Sequence, residues 1–253
     1  MKPSKPNQKI IVMMPAYNVA TVLEKTITDI PKDWVDEILV INDGSTDSTK
    51  EVAEKCGVSV VSHPKSRGYG AVQKTGYREA IQRGADIVVM VHGDYQYDPT
   101  LVPQFVWRIS HEGFDVVTGT RMVLGDVLKK GMPMWKFIPN RLLTWLENYV
   151  FKTNISDYHN GYRAFRADFL KQVNLDLLSD KFDFDTDIMI QAAIRHAKIA
   201  EIPHPTRYED ENSQMPFGKA VRYGIGIMAT VIRYVLHKMG IRKSKRFEVA
   251  NHG

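Results

Sequence analysis

The feature that most limits the folds open to this chain is a repeated alternation of short aliphatic runs with segments of helical spacing. Runs at Lys9 to Met14, Asp36 to Ile41, Val58 to Val61 and Asp86 to Val91 are rich in valine and isoleucine. Between them lie helical patterns over Val19 to Ile30, from about Ser48, where Ser48 and Glu51 have capping-box spacing, and up to Arg83. Strand and helix in turn predict an α/β domain, with a mostly parallel central sheet flanked by helices. The run Val88-Val89-Met90-Val91 is apolar at every position, as expected of a strand buried on both faces. It stops abruptly at His92-Gly93-Asp94-Tyr95-Gln96-Tyr97-Asp98-Pro99.

That stop locates a candidate site. Open α/β sheets bind ligands outside the carboxyl ends of their strands. Met90, His92 and Asp94 share one face of an extended strand, which puts Asp94 at the rim. A hard cation bridging a diphosphate needs only one or two protein carboxylates. Asp94 is therefore a candidate metal ligand, and the competing reading is a cap on the helix that Pro99 opens. Asp43 ends the second strand in Asn42-Asp43-Gly44-Ser45-Thr46-Asp47. A carboxylate repels phosphate but suits a nucleobase N–H or ribose hydroxyls, so Asp43 reads as a nucleoside contact or as a turn residue. Arg67 and Gly68 lie in a basic glycine loop that serves either a nucleotide or only the turn. Neither a Walker loop nor a dinucleotide fingerprint is present.

The second half is less regular. Phe114 to Gly119 and Lys198 to Ile202 read as strands, Arg121 to Pro139 as a loop, and Asn140 to Phe151 as an amphipathic helix. Phe184-Asp185-Thr186-Asp187 opens an apolar helix, and a last helix runs from Lys219 to Met239. On it Val221, Ile225, Met228, Ile232, Val235 and Met239 share one side, with Arg222, Arg233 and Lys238 adding charge. This suits an anionic membrane surface, the sheet or a partner subunit. The expected division is a flexible 1–8, a main domain over 9–216, a C-terminal amphipathic helix over 217–242 and a basic tail over 243–253.

The 253 residues carry a net charge of +5, which favours an anionic partner. The basic residues gather at the carboxyl end instead of interleaving with aromatics, which argues against nucleic acid. Cys56 is the only cysteine, so an intramolecular disulfide and a cysteine metal cluster are excluded. No apolar run reaches the ~18 residues of a membrane span, and the polar start has no signal-like segment. The expected location is the cytoplasm, with peripheral contact to the inner face of the plasma membrane left open.

Several segments together resemble the family-2 glycosyltransferases of the GT-A fold, especially those similar to dolichyl-phosphate mannose synthases and bacterial polyprenyl-phosphate glycosyltransferases. Met14-Pro15-Ala16-Tyr17-Asn18 matches the family's opening loop, and Val40-Ile41-Asn42-Asp43-Gly44-Ser45-Thr46-Asp47 matches its most specific motif. Arg67-Gly68-Tyr69-Gly70-Ala71, Gly93-Asp94-Tyr95-Gln96-Tyr97-Asp98-Pro99 and Gly161-Tyr162-Arg163-Ala164-Phe165 follow in the family's order. The resemblance covers about Lys9 to Tyr223. His92 departs from it, standing where the family usually has a second Asp. Imidazole favours manganese over magnesium, but packing beneath the site is the preferred role for His92.

The resemblance implies a nucleoside-diphosphate sugar donor (UDP or GDP), a divalent cation (Mg2+ or Mn2+), and inverting transfer in cell-envelope or glycan assembly. It places Pro15, Ala16, Tyr17, Asn18, Asp43, Arg67, Gly68, Gly93 and Asp94 at the donor. Asp94 and Gln96 fall at the metal, Asp185 and Arg163 at the chemistry, and Arg163, Arg207 and Lys219 at the acceptor. Asp187, two residues from Asp185, is expected to cap the helix or to contact its amino end. A polyprenyl phosphate is the preferred acceptor and a sugar or glycolipid hydroxyl the alternative, which the acidic Glu209-Asp210-Glu211 favours. A reading of another class is a nucleotide-sugar-binding or scaffold protein with little turnover. An oligomer is left open.

Overall fold

The computed structural model describes residues 4–122, 127, 132–204 and 217–248, with the backbone alone at 217 and 219. Seven strands form one sheet in the order β3-β2-β1-β4-β6-β5-β7. They are β1 (Ile10–Ala16), β2 (Glu37–Asn42), β3 (Ser59–Ser62), β4 (Ile87–Met90), β5 (Val116–Thr120), β6 (Arg163–Arg166) and β7 (Ile199–Pro203). All neighbours are parallel except β6, which runs antiparallel to both β4 and β5. The helices are α1 (Ala20–Thr28), α2 (Thr49–Lys55), α3 (Tyr69–Gln82), α4 (Val102–Ser110), α5 (Met134–Phe151), α6 (Ala167–Lys171), α7 (Phe184–Ile194) and α8 (Phe217–Lys238).

Alternation along the strands splits the core in two. Ile10, Val12, Met14, Val40 and Val89 pack against α1, α2 and α4 on one face. Ile11, Met13, Leu39, Val88 and Met90 pack against α3 and α5 to α8 on the other. A strand buried on both faces needs an apolar residue at every position, which explains the unbroken run in β4.

Several elements depart from the sequence reading, each for a local reason. β1 runs through Pro15 instead of stopping before it: the Pro15 carbonyl still accepts the Gly93 N–H at 3.0 Å, so one ladder bond survives the missing donor. β6 was not foreseen as a strand because four residues flanked by polar aromatics carry too little periodicity. α5 starts at Met134, within the expected loop, and tolerates Pro139 inside it. Ser48 makes no side-chain cap on α2; instead Asp47 accepts the Thr49 N–H at 3.0 Å and the Ala20 N–H at 3.1 Å, tying α1 and α2 together. After α8 the chain folds back, with Phe247 buried and Arg246 on Asp187 at 2.9 Å. This part of the expected basic tail is thus packed on α7.

α5 and α8 lie side by side. The Leu143 side chain faces Gly224, and Phe151 meets Tyr234 edge-on at 5.3 Å, so the two helices run in the same direction. Around each helix, at about 100° per residue, the apolar surface continues past this seam. On α5 it passes from Leu143 and Val150 to exposed Trp135, Ile138, Leu142, Trp145 and Tyr149. On α8 it passes from Gly224 to exposed Val221, Ile225, Met228 and Ile232. α8 is thus apolar on its packed side (Ile227, Val231, Tyr234) and on a second, uncovered side as well. No helix among the described residues is long and apolar enough to cross a membrane.

Candidate active site

The carboxyl ends of β1, β2 and β4 converge on one crevice. β6 contributes its first residue, Arg163, because its reversed direction pairs Arg163 with Met90 at the end of β4. The loops after β1 and β2 are laced together. Asn18, at a positive φ of 53°, donates its N–H to Ser45 at 3.0 Å and accepts the Thr46 N–H at 2.8 Å. Asp43 N–H reaches the Ala16 carbonyl at 2.9 Å. Tyr17 projects outward, 53% exposed, at the lip of this pair of loops.

Asp43 is buried, and both its oxygens are engaged. Oδ1 contacts His63 Nδ1 at 2.6 Å and accepts the Arg67 N–H at 2.9 Å. Oδ2 accepts from the Ser66 hydroxyl at 2.7 Å and the Gly68 N–H at 3.2 Å. Burial pushes this carboxyl up, but the donors from Ser66, Arg67, His63 and Gly68 outweigh it and hold the carboxyl below its usual range. The expected nucleoside contact is here the post around which the 63–68 loop is wound. Gly44 permits that winding, since at φ 68° a Cβ would press on the Lys65 backbone at 2.7 Å. The Arg67 side chain is exposed.

Past β4 the chain keeps its ladder bonds to β1 through Val91 N–H and Gly93 N–H. Gly93 fits tightly, since a Cβ would lie 3.2 Å from the Pro15 carbonyl oxygen. Asp94 follows, partly exposed, with Oδ1 accepting the Gln96 N–H at 3.1 Å. Its Oδ2 accepts no hydrogen bond among the described residues. The helix cap considered for Asp94 belongs to Asp98, which accepts the Thr100 N–H at 3.0 Å. Among the described residues no group of three or more His, Cys, Asp or Glu could hold a metal alone. The Asp94 oxygen left without a hydrogen bond among the described residues fits a cation that would take one carboxylate oxygen here and its other ligands from a diphosphate and water. His92 packs edge-on between Tyr69 (5.7 Å) and Tyr97 (5.1 Å), under the site.

Opposite, α7 presents Asp185 from its first turn. Arg163 donates to Oδ1 at 2.7 Å and Tyr69 donates to Oδ2 at 3.0 Å. Arg163 also donates to the Tyr158 carbonyl at 2.8 Å and is fully buried. An acceptor phosphate does not reach a group so enclosed, so the expected acceptor contact at Arg163 is corrected to a place beneath Asp185. Asp185 and Asp187 point apart, as two residues on a helix must. Asp187 accepts the Ser179 N–H at 2.8 Å and pairs with Arg246, so it ties a loop and the C-terminal segment to α7. Arg207 lies outside the described residues, and so does the side chain of Lys219.

Sequence reasoning missed several groups. Arg121 grips buried Asp157 with two hydrogen bonds of 2.7 and 2.9 Å. Glu147 from α5, His159 from the loop before β6 and Tyr223 from α8 meet one another beside Thr186 of α7. Only the tertiary fold brings these distant positions together, and the one sequence signal was the density of polar and aromatic residues at 156–165.

The sequence model of the family described as "Glycosyl transferase family 2" matches residues 11–173. A UDP-N-acetylglucosamine–dolichyl-phosphate N-acetylglucosaminyltransferase of Methanococcus voltae is 26% identical, over 91% of this chain and 96% of its own. An undecaprenyl-phosphate mannosyltransferase of Micrococcus luteus is 28% identical, over 77% and 82%. The crystal structure of glucosyl-3-phosphoglycerate synthase from Mycobacterium tuberculosis with Mn2+, UDP and glucosyl-3-phosphoglycerate superposes with a TM-score of 0.68 at 22% identity, over 94% of this chain and 82% of that one. The sheet order and the family match agree, and the chain belongs to the family-2 glycosyltransferases.

Proposed function

We propose that this chain moves a sugar, with inversion, from a nucleoside-diphosphate sugar to a polyprenyl phosphate at a membrane surface. The observation that carries the acceptor is the dual role of α5 and α8. These helices place Glu147 and Tyr223 against the Asp185 side of the crevice. Their outer surfaces carry the uncovered apolar face of Trp135, Ile138, Leu142, Trp145, Tyr149, Val221, Ile225, Met228 and Ile232. A lipid chain lying along that face would bring its phosphate to the crevice mouth. The relatives that use dolichyl or undecaprenyl phosphate support the same reading, and Arg207 and Lys219 are kept as cations for that phosphate.

The laced loops of Pro15 to Asn18 and Asp43 to Asp47, with the 63–68 loop wound on Asp43, form the nucleoside side of the donor pocket. Asp94, backed by Gly93 and Gln96, would hold a divalent cation on the diphosphate; bound there it offsets the charge of the leaving group as a Lewis acid. The acceptor phosphate oxygen bonds to the anomeric carbon from the opposite face while the bond to the nucleoside diphosphate breaks. A phosphate nucleophile is already an anion and needs no proton removed. Asp185, fixed by Arg163 and Tyr69, orients the reacting groups.

The test offers purified protein a labelled nucleotide sugar, Mn2+ and polyprenyl phosphate in vesicles. The expected product is organic-soluble and acid-labile, as a glycosyl phosphate is. Transfer to a hydroxyl acceptor with none to the phosphate would overturn the assignment. Binding without any transfer would make the chain a nucleotide-sugar-binding protein.

A further inference from the structure

Glu147 on α5 is fully buried, and its Oε1 accepts from the Thr186 hydroxyl at 3.0 Å. Its Oε2 faces His159 Nε2 at 3.3 Å. Neither of these two facing atoms has a hydrogen bond to anything else among the described residues. The other nitrogen of the ring, Nδ1, lies 3.2 Å from the Tyr223 hydroxyl on α8. Tyr223 in turn meets Phe182 edge-on, Phe182 stacks on Tyr69 at 4.9 Å, and Tyr69 donates to Asp185. One line of groups therefore runs from Thr186, beside Asp185 on α7, through Glu147 and His159 to the hydroxyl of Tyr223, which lies within the electrostatic reach of Asp185.

Two buried polar atoms left facing each other are costly unless a proton lies between them. We propose that Glu147 and His159 share one proton across this contact, and that its position sets whether the Tyr223 hydroxyl donates into the crevice or back to His159. With the proton on Glu147, Oε2–H points at Nε2, which then has only a lone pair. The ring proton sits on Nδ1 and is donated to the Tyr223 oxygen, which leaves the tyrosine O–H to turn toward an anionic acceptor oxygen. When Glu147 gives its proton to solvent, the ring proton moves to Nε2 to serve the carboxylate. Nδ1 then becomes the acceptor and takes the tyrosine O–H away from the crevice. Atoms balance in both states, and only one proton leaves.

The surroundings favour the first state at neutral pH. Burial pushes Glu147 up to about 8, against the Thr186 hydrogen bond and Arg163, which favour ionisation; Asp157 and Asp185 raise it further. Burial pushes His159 down to about 4, with Asp157 opposing and Arg121 and Arg163 assisting. Both shifts describe a neutral acid beside a neutral ring. Burial also raises the Tyr223 hydroxyl, together with Asp185 and Glu147, while Arg163 and Arg121 oppose, so it remains a donor throughout.

The acceptor side of this inference rests on the function proposed above, and the tautomer does not. The first measurement is therefore the ring-nitrogen NMR of His159 in the full chain, titrated from about pH 6 to about pH 9.5. The Nδ1–H tautomer is expected at low pH, giving way to Nε2–H as Glu147 ionises. Glu147→Gln, which does not titrate and whose NH2 donates to Nε2 while its carbonyl oxygen keeps the Thr186 hydroxyl, should hold Nδ1–H at every pH. An imidazolium or an Nε2–H ring at about pH 6.5, or the native transition persisting in Glu147→Gln, would overturn the shared proton. The second measurement is the acceptor KM. Tyr223→Phe should raise it about tenfold or more with nucleotide affinity unchanged, and the native KM should rise above about pH 8 while that of Glu147→Gln stays level. An unchanged KM in Tyr223→Phe would overturn the crevice-facing donor. Failure of transfer to polyprenyl phosphate would remove the acceptor assignment and leave the NMR result to stand or fall alone.

Discussion

The Arg163 guanidinium lies 2.7 Å from Oδ1 of Asp185; Arg163 is fully buried, and Asp185 keeps only a small exposed edge. Removing one partner of such a pair strands the other as a buried charge. Arg163→Ala should therefore lose about 3–5 kcal/mol of stability, and an apolar replacement of both residues should recover part of it. Thermal unfolding of the single and double variants checks this, and equal loss in both would show that the pairing itself is unimportant. Asp185→Asn keeps the shape and removes the charge. With a phosphate acceptor its turnover should fall by less than the about 10²–10⁴-fold expected for loss of an essential base. A loss within that range would instead point to a hydroxyl acceptor with Asp185 as its base.

Asp43 holds four donors, two of them backbone N–H groups of Arg67 and Gly68. Asp43→Ala should release the 63–68 loop and weaken nucleoside monophosphate and diphosphate binding by similar factors. Calorimetric titration with both ligands distinguishes this from a phosphate role, in which only the diphosphate would lose affinity.

Asp94 keeps Oδ1 on its own turn, and its Oδ2 accepts no hydrogen bond among the described residues. Manganese should raise nucleoside-diphosphate affinity in the native chain and much less in Asp94→Asn. The same enhancement in both proteins would move the cation elsewhere.

How much of this was legible in the sequence follows from where the information sits. Of the four parallel strands of the first half, β1, β2 and β4 announce themselves because a doubly buried strand needs apolar residues along its length, as Val88 to Val91 supply, whereas the partly exposed β3 is legible only from its short valine run between polar segments. Asp43 and Asp94 were legible because they stand at fixed distances past such strands. The engagement of Asp43 by Ser66, Arg67 and Gly68 was not, since it depends on how a loop more than twenty residues away returns to it. Arg163 was singled out from its motif, but burial and its Asp185 partner depend on the antiparallel insertion of β6. The Glu147–His159 contact joins positions that share no motif, so only the packed helices reveal it.

Acid sensitivity should centre on Asp157. Burial would raise this carboxyl, but the charge and hydrogen bonds of Arg121, together with His159, bring it well below the usual range. A group depressed in the folded state stabilises the fold fully above its unfolded value of about 3.9. That contribution disappears as pH falls through the lower folded value. The native chain should thus lose stability steeply below about pH 4. Asp157→Asn should be less stable at pH 7 and show a shallower acid limb, read from denaturant midpoints across that window. An unchanged acid limb would mean that other carboxylates control it.

The outer face of α5 and α8 gives the last expectation. Trp145, Tyr149, Leu142 and Ile225 are each more than half exposed, although apolar side chains of this size gain most by leaving water. Basic groups flank them: Lys152 lies over the Tyr149 ring at 4.5 Å and Lys136 over the Trp135 ring at 5.0 Å, while Arg222, Lys238, Arg242 and Lys243 are exposed along and after α8. Aromatic rings with cations beside them suit the headgroup layer of an anionic bilayer. The chain should therefore sediment with vesicles containing anionic phospholipid, less so as salt rises, because charge attraction is screened. Trp145→Glu combined with Ile225→Glu should abolish that binding with little change in thermal stability, since neither side chain is packed in the core. If the face instead joins two copies of the chain, the native protein would sediment as a dimer without lipid and the double variant as a monomer, and vesicle binding would be absent in both.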